Sequence, residues 1–188
     1  MDLNLECILI KAAQEGDQQA FATLYKNHVD RIYRYILYRV DNNLIAEDLT
    51  ADVFMHALEG LSRYECSSSP WMAWLYSIAN ARVIDHYRRN GRIAQQEVIE
   101  EATASVEMDW DDSIVATFNH DVIQEAVGHL NDEQQQVIIY RFIESHSLEK
   151  TAILMRKTIG AIKTMQHRAL GAMEKSIRKR GINADDLK

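Results

Sequence analysis

Between residues 17 and 40 the apolar side chains fall at Phe21, Leu24, Tyr25, Ile32, Ile36 and Val40, mostly three or four positions apart. That spacing lays one stripe along a helix, and Asp17 stands where a carboxylate caps a first turn. The polar run "DNN" at 41–43 breaks the pattern. It resumes from 46 to about 61, with Leu49, Val53, Phe54, Ala57 and Leu58 as the inward positions. Residues 62–70, "SRYECSSSP", read as a loop. Pro70 suits the first turn of a third helix, where its missing N–H costs nothing. That helix runs to about 92, with Trp71, Trp74, Leu75, Ile78, Val83 and Ile84 as its apolar stripe.

From 93 to about 112, "IAQQEVIEEATASVEMDWDD", the periodicity fades and no basic residue occurs. This predicts a linker, with a short helix near 95–101 and with Trp110 pinned by packing. Helical spacing returns over about 113–129, 132–144, 148–155 and 159–178. Asn131 with Gln134 three residues on predicts a capping box, and Ser147 and Thr158 are the expected N-caps of the last two helices. Between those two, a short turn at 155–158 predicts a helix-turn-helix. Ala152 and Gly160 are expected where the helices cross, with Leu148, Ile159 and Ile162 as the apolar seam. The second helix would offer Lys163, Thr164, His167 and Arg168 to a major groove, with Thr158 at its start. A plain αα-hairpin with a solvated basic face would carry the same pattern.

One proline and seven glycines leave little turn chemistry for strands, so the expected fold class is all-α. The expected organisation is a helical domain over 1–92, an acidic linker over 93–112 and a helix-turn-helix domain over 113–188. The net charge of −7 conceals a strong asymmetry, with −5 over 1–60, +3 over 61–92, −9 over 93–125 and +4 over 126–188. Two local basic patches can face a polyanion although the whole chain repels one. Cys7 and Cys66 lack metal-ligand spacing and read as two incidental thiols in a reducing compartment. The seven histidines are scattered singly, so no metal, cofactor or catalytic constellation is expected, and no enzyme. No apolar run approaches the roughly 20 residues that span a bilayer, and the first residues lack the basic-then-apolar order of a signal peptide. Cytoplasmic placement without membrane insertion is the expectation.

Two surfaces invite partners. Asp48, Asp52 and Glu59 lie near one face of the second helix with Glu47 beside them. Like charges four apart cost a few tenths of a kcal/mol each, which a partner's basic groove would offset; a solvated acidic face is the plainer alternative. The third helix begins among aromatic rings and ends in Arg88, Arg89 and Arg92. Tyr64, Tyr76, His86 and Tyr87 are candidates for partial exposure. Rings that stack bases and arginines that follow a backbone are the two needs of a single-strand binding surface.

In order, the segments "DQQAFATLYKNHVDRIYRYI", "AEDLTADVFMHAL", "WMAWLYSIANARVIDHYRR", "LNDEQQQVIIYRF", "SLEKTAIL" and "IGAIKTMQHRAL" resemble the bacterial RNA polymerase sigma factors of the extracytoplasmic-function (ECF) type. The resemblance covers about residues 8–92 and 113–174. It implies a transcription-initiation factor that binds core RNA polymerase, recognises promoter DNA and helps open it. Segment 48–60 matches the family's polymerase-docking helix, making Glu47, Asp48, Asp52 and Phe54 candidate contacts. Loop 62–70 matches the pocket for a base flipped from the non-template strand, with Tyr64, Trp71 and Trp74 in or beside it. Asn80, Asp85, Arg88 and Arg89 fall in the helix used at the duplex edge and the phosphates. The helix-turn-helix corresponds to the reader of the distal promoter element, and the linker to the connector in the RNA exit path. Many relatives are held by an anti-sigma factor, which makes one a candidate partner.

This chain departs from the family pattern in its last helices. Arg156 and Lys157 stand where the turn usually has a glycine and an apolar residue, and a non-glycine there predicts an altered turn. Met165 replaces an expected DNA-facing arginine, and Gln166 an expected buried leucine. Ala81 occupies a common asparagine position. A sigma-like protein without promoter binding is therefore one further possibility. A stand-alone helix-turn-helix regulator with an N-terminal helical sensing domain is the alternative function.

Overall fold

A computed structural model of the chain describes residues 3–40, 42–66, 69–90 and 120–179. Every regular element among the described residues is a helix, and the chain forms two compact units that divide after Arg92. The predicted linker, its short helix, Trp110, Arg92 and residues 113–119 lie outside the described residues.

The first unit opens with α1 (Leu3–Gln14), which the periodicity did not predict. It ends at Gly16, whose φ of 98° suits a residue without a Cβ. Asp17 Oδ1 then accepts from the backbone N–H groups of Gln19 (2.8 Å) and Ala20 (3.2 Å), starting α2 (Gln18–Val40) as expected. Asn42 caps α3 (Asn43–Gly60) by accepting from Ile45 N–H at 3.0 Å, so this helix begins three residues before its predicted start. A 3₁₀ turn (Leu61–Arg63) follows, then α4 (Trp71–Arg89). Pro70 takes the N-cap place just outside α4, not a place in its first turn.

Helix α2 packs on α1, α3 and α4, and α3 packs on α4. Leu24, Ile32, Ile36, Val53, Ala57, Leu75 and Val83 form the buried centre. Each large apolar side chain there contributes about 1.5–3 kcal/mol by leaving water. Leu58 and Ile84, predicted inward, are exposed instead. Tyr76, predicted to be partly exposed, is buried with its ring 5.0 Å from that of Tyr35.

In the second unit α5 (His120–Gly128) leads into α6 (Asp132–Ile138) through the predicted capping box. Asn131 Oδ1 accepts from Gln134 N–H at 2.9 Å, and Gln134 Oε1 accepts from Asn131 N–H at 3.2 Å. The predicted α-helix to 144 stops short, because the chain widens into a π turn over Ile139–Ile143. Glu144 N–H reaches back five residues to Ile139 O, and Ser145 takes a φ of 52°. Helices α7 (Leu148–Met155) and α8 (Ile159–Lys179) carry the predicted caps, Ser147 accepting from Lys150 N–H and Thr158 from Ala161 N–H.

The turn between α7 and α8 keeps the left-handed geometry despite its arginine. Arg156 has φ 53° and ψ 43°. Its N–H bonds Ile153 O at 3.2 Å, and Lys157 N–H bonds Ala152 O at 3.0 Å. This pair of backbone bonds is a Schellman motif. The altered turn predicted from Arg156 is therefore not what forms. Lys157 adds an ion pair to Glu133 at 2.8 Å.

Val137, Ala152 and Ile162 form a buried cluster, with Leu148, Met155 and Met165 packed against it. Ala152 and Ile162 thus make the predicted crossing. Gly160 does not take part, since it is exposed and a Cβ there would meet nothing within 4 Å. Ile159 also points outward. Met165 leans into the cluster, so the position read as DNA-facing is a packing position here. Gln166 is half-buried and accepts from Arg141 Nε at 3.1 Å, in place of the apolar contact a leucine would make.

Candidate nucleic-acid interface

Three rings meet where α3 ends and α4 begins. Tyr64 lies 5.0 Å from Trp71 and 4.9 Å from Trp74, and the two indoles are 5.0 Å apart. Such pairs contribute about 0.5–1.5 kcal/mol each beyond area burial. Tyr64 donates its hydroxyl to Ser69 O at 2.6 Å, while Gln14 Nε2 donates to Leu61 O and Tyr64 O at 2.8 Å each. Burial, reinforced by Cys66, Cys7 and Glu6, pushes the Tyr64 phenol far above its ordinary range. Gly60 packs closely here, since a Cβ there would stand 3.1 Å from Trp74 Cζ2.

The trio does not offer three stacking faces. Trp71 is only 1% exposed and Tyr64 is buried, so both act as a base on which the half-buried Trp74 rests. Within the trio Trp74 is the ring that keeps part of its surface for an unstacked base, and along α4 His86 and Tyr87 are likewise half-buried. A half-buried ring held by two buried ones suits that role.

Along α4 the charged side chains are organised by Asp85. Its carboxylate accepts from Arg82 Nη2 at 3.0 Å and pairs with Arg88 Nη2 at 3.1 Å. Arg88 remains largely exposed and Arg89 exposed, so both can reach phosphates. Asn80 is engaged inside the unit. Its Oδ1 accepts from the buried Arg39 Nη1 at 2.5 Å, and the same nitrogen bonds Tyr35 Oη at 2.7 Å. Tyr87 donates its hydroxyl to Arg39 O. Asn80 thus links α4 to α2.

The outer face of α3 is mixed acidic and apolar. Glu47, Asp48 and Glu59 are exposed, and Leu44 (72%), Met55 (57%) and Leu58 (48%) share the surface with them. Positions 44, 48, 51, 55 and 58 recur at helical spacing and form one strip. Phe54, a predicted polymerase contact, turns inward instead. It is 4% exposed with its ring 4.7 Å from Tyr25. Asp52 is half-turned toward α4, 3.2 Å from His56 Nδ1 and 3.8 Å from Arg82 Nη1. His56 Nε2 lies 3.3 Å from the same Arg82 nitrogen, and His56 Nδ1 2.9 Å from Asp52 O. The Nδ1-protonated tautomer satisfies both bonds.

On α8 Lys163, Thr164, His167 and Arg168 are all exposed. The predicted recognition residues therefore share the outward side. Two hydroxyls are occupied locally, Thr158 by its cap and Thr164 by Gly160 O at 3.1 Å. Among the described residues no His, Cys, Asp and Glu group could hold a metal ion, and no helix is long and apolar enough to cross a membrane.

Comparison with known proteins gives these surfaces a family. Sigma-70 region 2 matches residues 24–93, and Sigma-70 region 4 matches residues 126–175. The chain is 36% identical, over 86% of its length, to the ECF RNA polymerase sigma factor BldN of Streptomyces coelicolor. This chain belongs to the sigma-70 family, among the ECF sigma factors. It spans 62% of BldN. It also matches the ECF RNA polymerase sigma factor SigW of Bacillus subtilis, at 26% identity over 90% of this sigma factor and 95% of SigW. Two solved structures share the fold. One is CnrH in complex with the cytosolic domain of CnrY, with TM-score 0.65, 20% identity, and 92% and 96% of the two chains covered. The other is RpoE in complex with the anti-sigma factor NepR from Bartonella quintana, with TM-score 0.60, 22% identity, and 84% and 96% covered.

Within that family frame, three features escaped sequence reasoning. Leu44, Met55 and Leu58 were hidden because α3 is apolar on more than one side. Arg82 gave no signal beyond a cation in mid-helix, yet it fastens α3 to α4. Gln14 belongs to α1, which was not foreseen.

Proposed function

We propose that this sigma factor carries out initiation by docking on core RNA polymerase through α3, holding an opened strand at α4 and reading duplex promoter DNA with α8. The observation that carries this reading is the exposed strip of α3. There Asp48 and Glu59 stand beside Leu44, Met55 and Leu58, at the segment that resembles the family's docking helix. An apolar strip with an acidic margin is costly to leave in water and fits a basic groove with an apolar floor. Trp74 shelters the unstacked base, with Tyr64 and Trp71 beneath it. Arg88 and Arg89 hold phosphates. Lys163, Thr164, His167 and Arg168 face the major groove of the distal element, with Thr158 fixing the start of their helix. The two domains and the acidic linker of the sequence-based division carry these roles as first proposed.

Core RNA polymerase and promoter DNA are the partners, and an anti-sigma factor is a further one, supported by the complex with the anti-sigma factor NepR in which one fold neighbour was solved. The work is binding and strand separation in the bacterial cytoplasm, without covalent chemistry. Family membership replaces the stand-alone regulator as the function.

The test is a titration of labelled protein with core polymerase, followed by run-off transcription on a pool of promoter fragments. Wild type should bind tightly and give transcripts sharing an upstream motif. Asp48→Arg with Leu58→Lys should keep the fold and lose core affinity by at least tenfold. Unchanged affinity in that variant would overturn docking through α3.

A further inference from the structure

The chain has two cysteines, 59 positions apart, and the fold brings them together. Cys7 lies on α1, and Cys66 lies three residues beyond the 3₁₀ turn that closes α3. Helix α1 runs beside that stretch. At its end Gln14 grips the carbonyls of Leu61 and Tyr64, and two turns earlier the Cys7 side chain hydrogen-bonds that of Cys66. Both thiols are free and partly exposed, so small reagents reach them. Sulfurs in hydrogen-bond contact need to approach by no more than about 2 Å to reach the disulfide length of about 2.05 Å.

We propose that Cys7 and Cys66 form a reversible thiol-modification site, in which two-electron oxidation closes an intrachain disulfide that fastens α1 to the segment carrying Tyr64. With hydrogen peroxide as oxidant the chemistry balances. One thiol attacks a peroxide oxygen, the O–O bond breaks, and a sulfenic acid and water form. The second thiol then attacks that sulfur, the S–O bond breaks, and a second water leaves with the thiol proton. Two thiols and one peroxide thus give one disulfide and two waters. A dithiol reductant reverses the step by exchange.

Local chemistry sets the rate. Burial, then the hydrogen bond and charge of Cys7, push the Cys66 thiol up to about 11. At pH 7 its thiolate fraction is on the order of one in ten thousand, so Cys66 is a slow nucleophile whose reaction quickens as pH rises. The consequence for promoter opening rests on the function proposed above. Tyr64 lies two residues from Cys66 and supports Trp71 and Trp74, so the bond restrains the base-sheltering end of α4 in the packing seen here.

The experiment treats the full-length protein, dilute, with hydrogen peroxide, and follows intact mass, alkylatable thiols and the melting temperature by tryptophan fluorescence. Expected are a loss of two hydrogens, loss of both alkylatable thiols, a Cys7–Cys66 peptide, and recovery with dithiothreitol. The melting temperature should rise on the order of 10 °C on closing so long a loop. Cys66→Ser and Cys7→Ser should fold normally and show no peroxide-dependent shift. Sulfinic or sulfonic acids on separate cysteines, intermolecular dimers, or a disulfide without a rise in melting temperature would overturn the proposal. With core polymerase, the oxidised protein should open a duplex promoter several-fold more slowly than the reduced protein, and match it on a premelted template. Equal rates on duplex would overturn the effect on opening. Failure of the initiation function itself would appear separately, as no opening by the reduced protein, with the mass and melting results unaffected.

Discussion

Replacing Arg156 with glycine should stabilise the second unit. Arg156 sits in the left-handed region at φ 53°, ψ 43°, and its side chain is exposed. The bonds that close the turn, Arg156 N–H to Ile153 O and Lys157 N–H to Ala152 O, are backbone bonds that glycine keeps. Left-handed geometry costs a residue with a Cβ roughly 1–2 kcal/mol. Glycine removes that strain and returns about 0.5–1 kcal/mol to the freedom of the unfolded chain. The difference leaves a gain of about 0.8 kcal/mol, which slows amide exchange through unfolding of the unit about fourfold. Hydrogen exchange of the full chain, read in peptides covering α6 to α8, measures this directly. Arg156→Ala keeps the Cβ and should give no such gain. Unchanged or faster exchange in Arg156→Gly would refute the strain calculation. DNA affinity should move the other way if the exposed guanidinium reaches a phosphate, with the salt slope smaller by about one. Stability and binding would then part at one residue, which is a physical reason to keep an arginine where glycine fits better.

Trp71→Ala should cost about 3–5 kcal/mol in urea melts because its ring is buried, whereas Trp74→Ala should cost less and slow promoter opening more. Equal destabilisation by the two would contradict the division between supporting and exposed indole. Gly60→Ala gains about 1 kcal/mol of helix propensity but sets a Cβ against the Trp74 ring, so stability should change little while tryptophan emission shifts; unaltered emission would count against that contact. Phe54→Ala should lower the melting temperature, and Met55→Lys should lower core affinity at normal melting temperature; the reverse pattern would exchange their roles. Alkali should weaken the first unit, because burial raises Tyr64 and lifts Cys66 from 9.0 to about 11. Groups raised on folding stabilise fully below their unfolded values, so that contribution is present below pH 9 and fades toward 11. A melting profile from pH 8 to 11 should therefore be flatter in Cys66→Ser than in wild type.

Caps and stripes were legible because each depends on residues a few positions apart. Asp17, the Asn131–Gln134 box, Ser147 and Thr158 all work through bonds within one turn, and all formed where the spacing placed them. What escaped depends on long-range packing. In α3, Phe54 and Met55 are neighbours of similar hydrophobicity, and only the position of Tyr25 on α2 decides which one turns inward. In α1, Leu5 and Ile8 are exposed while Ile10 is buried, so its apolar residues ring the helix without a single stripe. The π turn after α6 is fixed by reach across the bend, from His146 N–H to Tyr140 O at 2.8 Å, which no local pattern announces. Cys7 and Cys66 are the extreme case, since their meeting requires the path of three helices.

The same long-range contacts decide which acidic residue can test docking cleanly. Asp48 and Asp52 share one face by spacing alone, which invites reversing both together. In the folded unit their situations differ. Asp48 is exposed, while Asp52 lies between His56 and Arg82, and Arg82 is held in turn by Asp85. An arginine at 52 would set one guanidinium against another and disturb the join between α3 and α4. Loss of polymerase binding in the double reversal would then mix a lost contact with a displaced α4, the helix that holds the strand. Asp48→Arg alone separates the two. It should weaken core binding while leaving the melting temperature and the affinity for single-stranded promoter DNA unchanged. Asp52→Arg should lower all three. Identical profiles for the two variants would mean that Arg82 does not fasten the helices and that both carboxylates act only as surface charge.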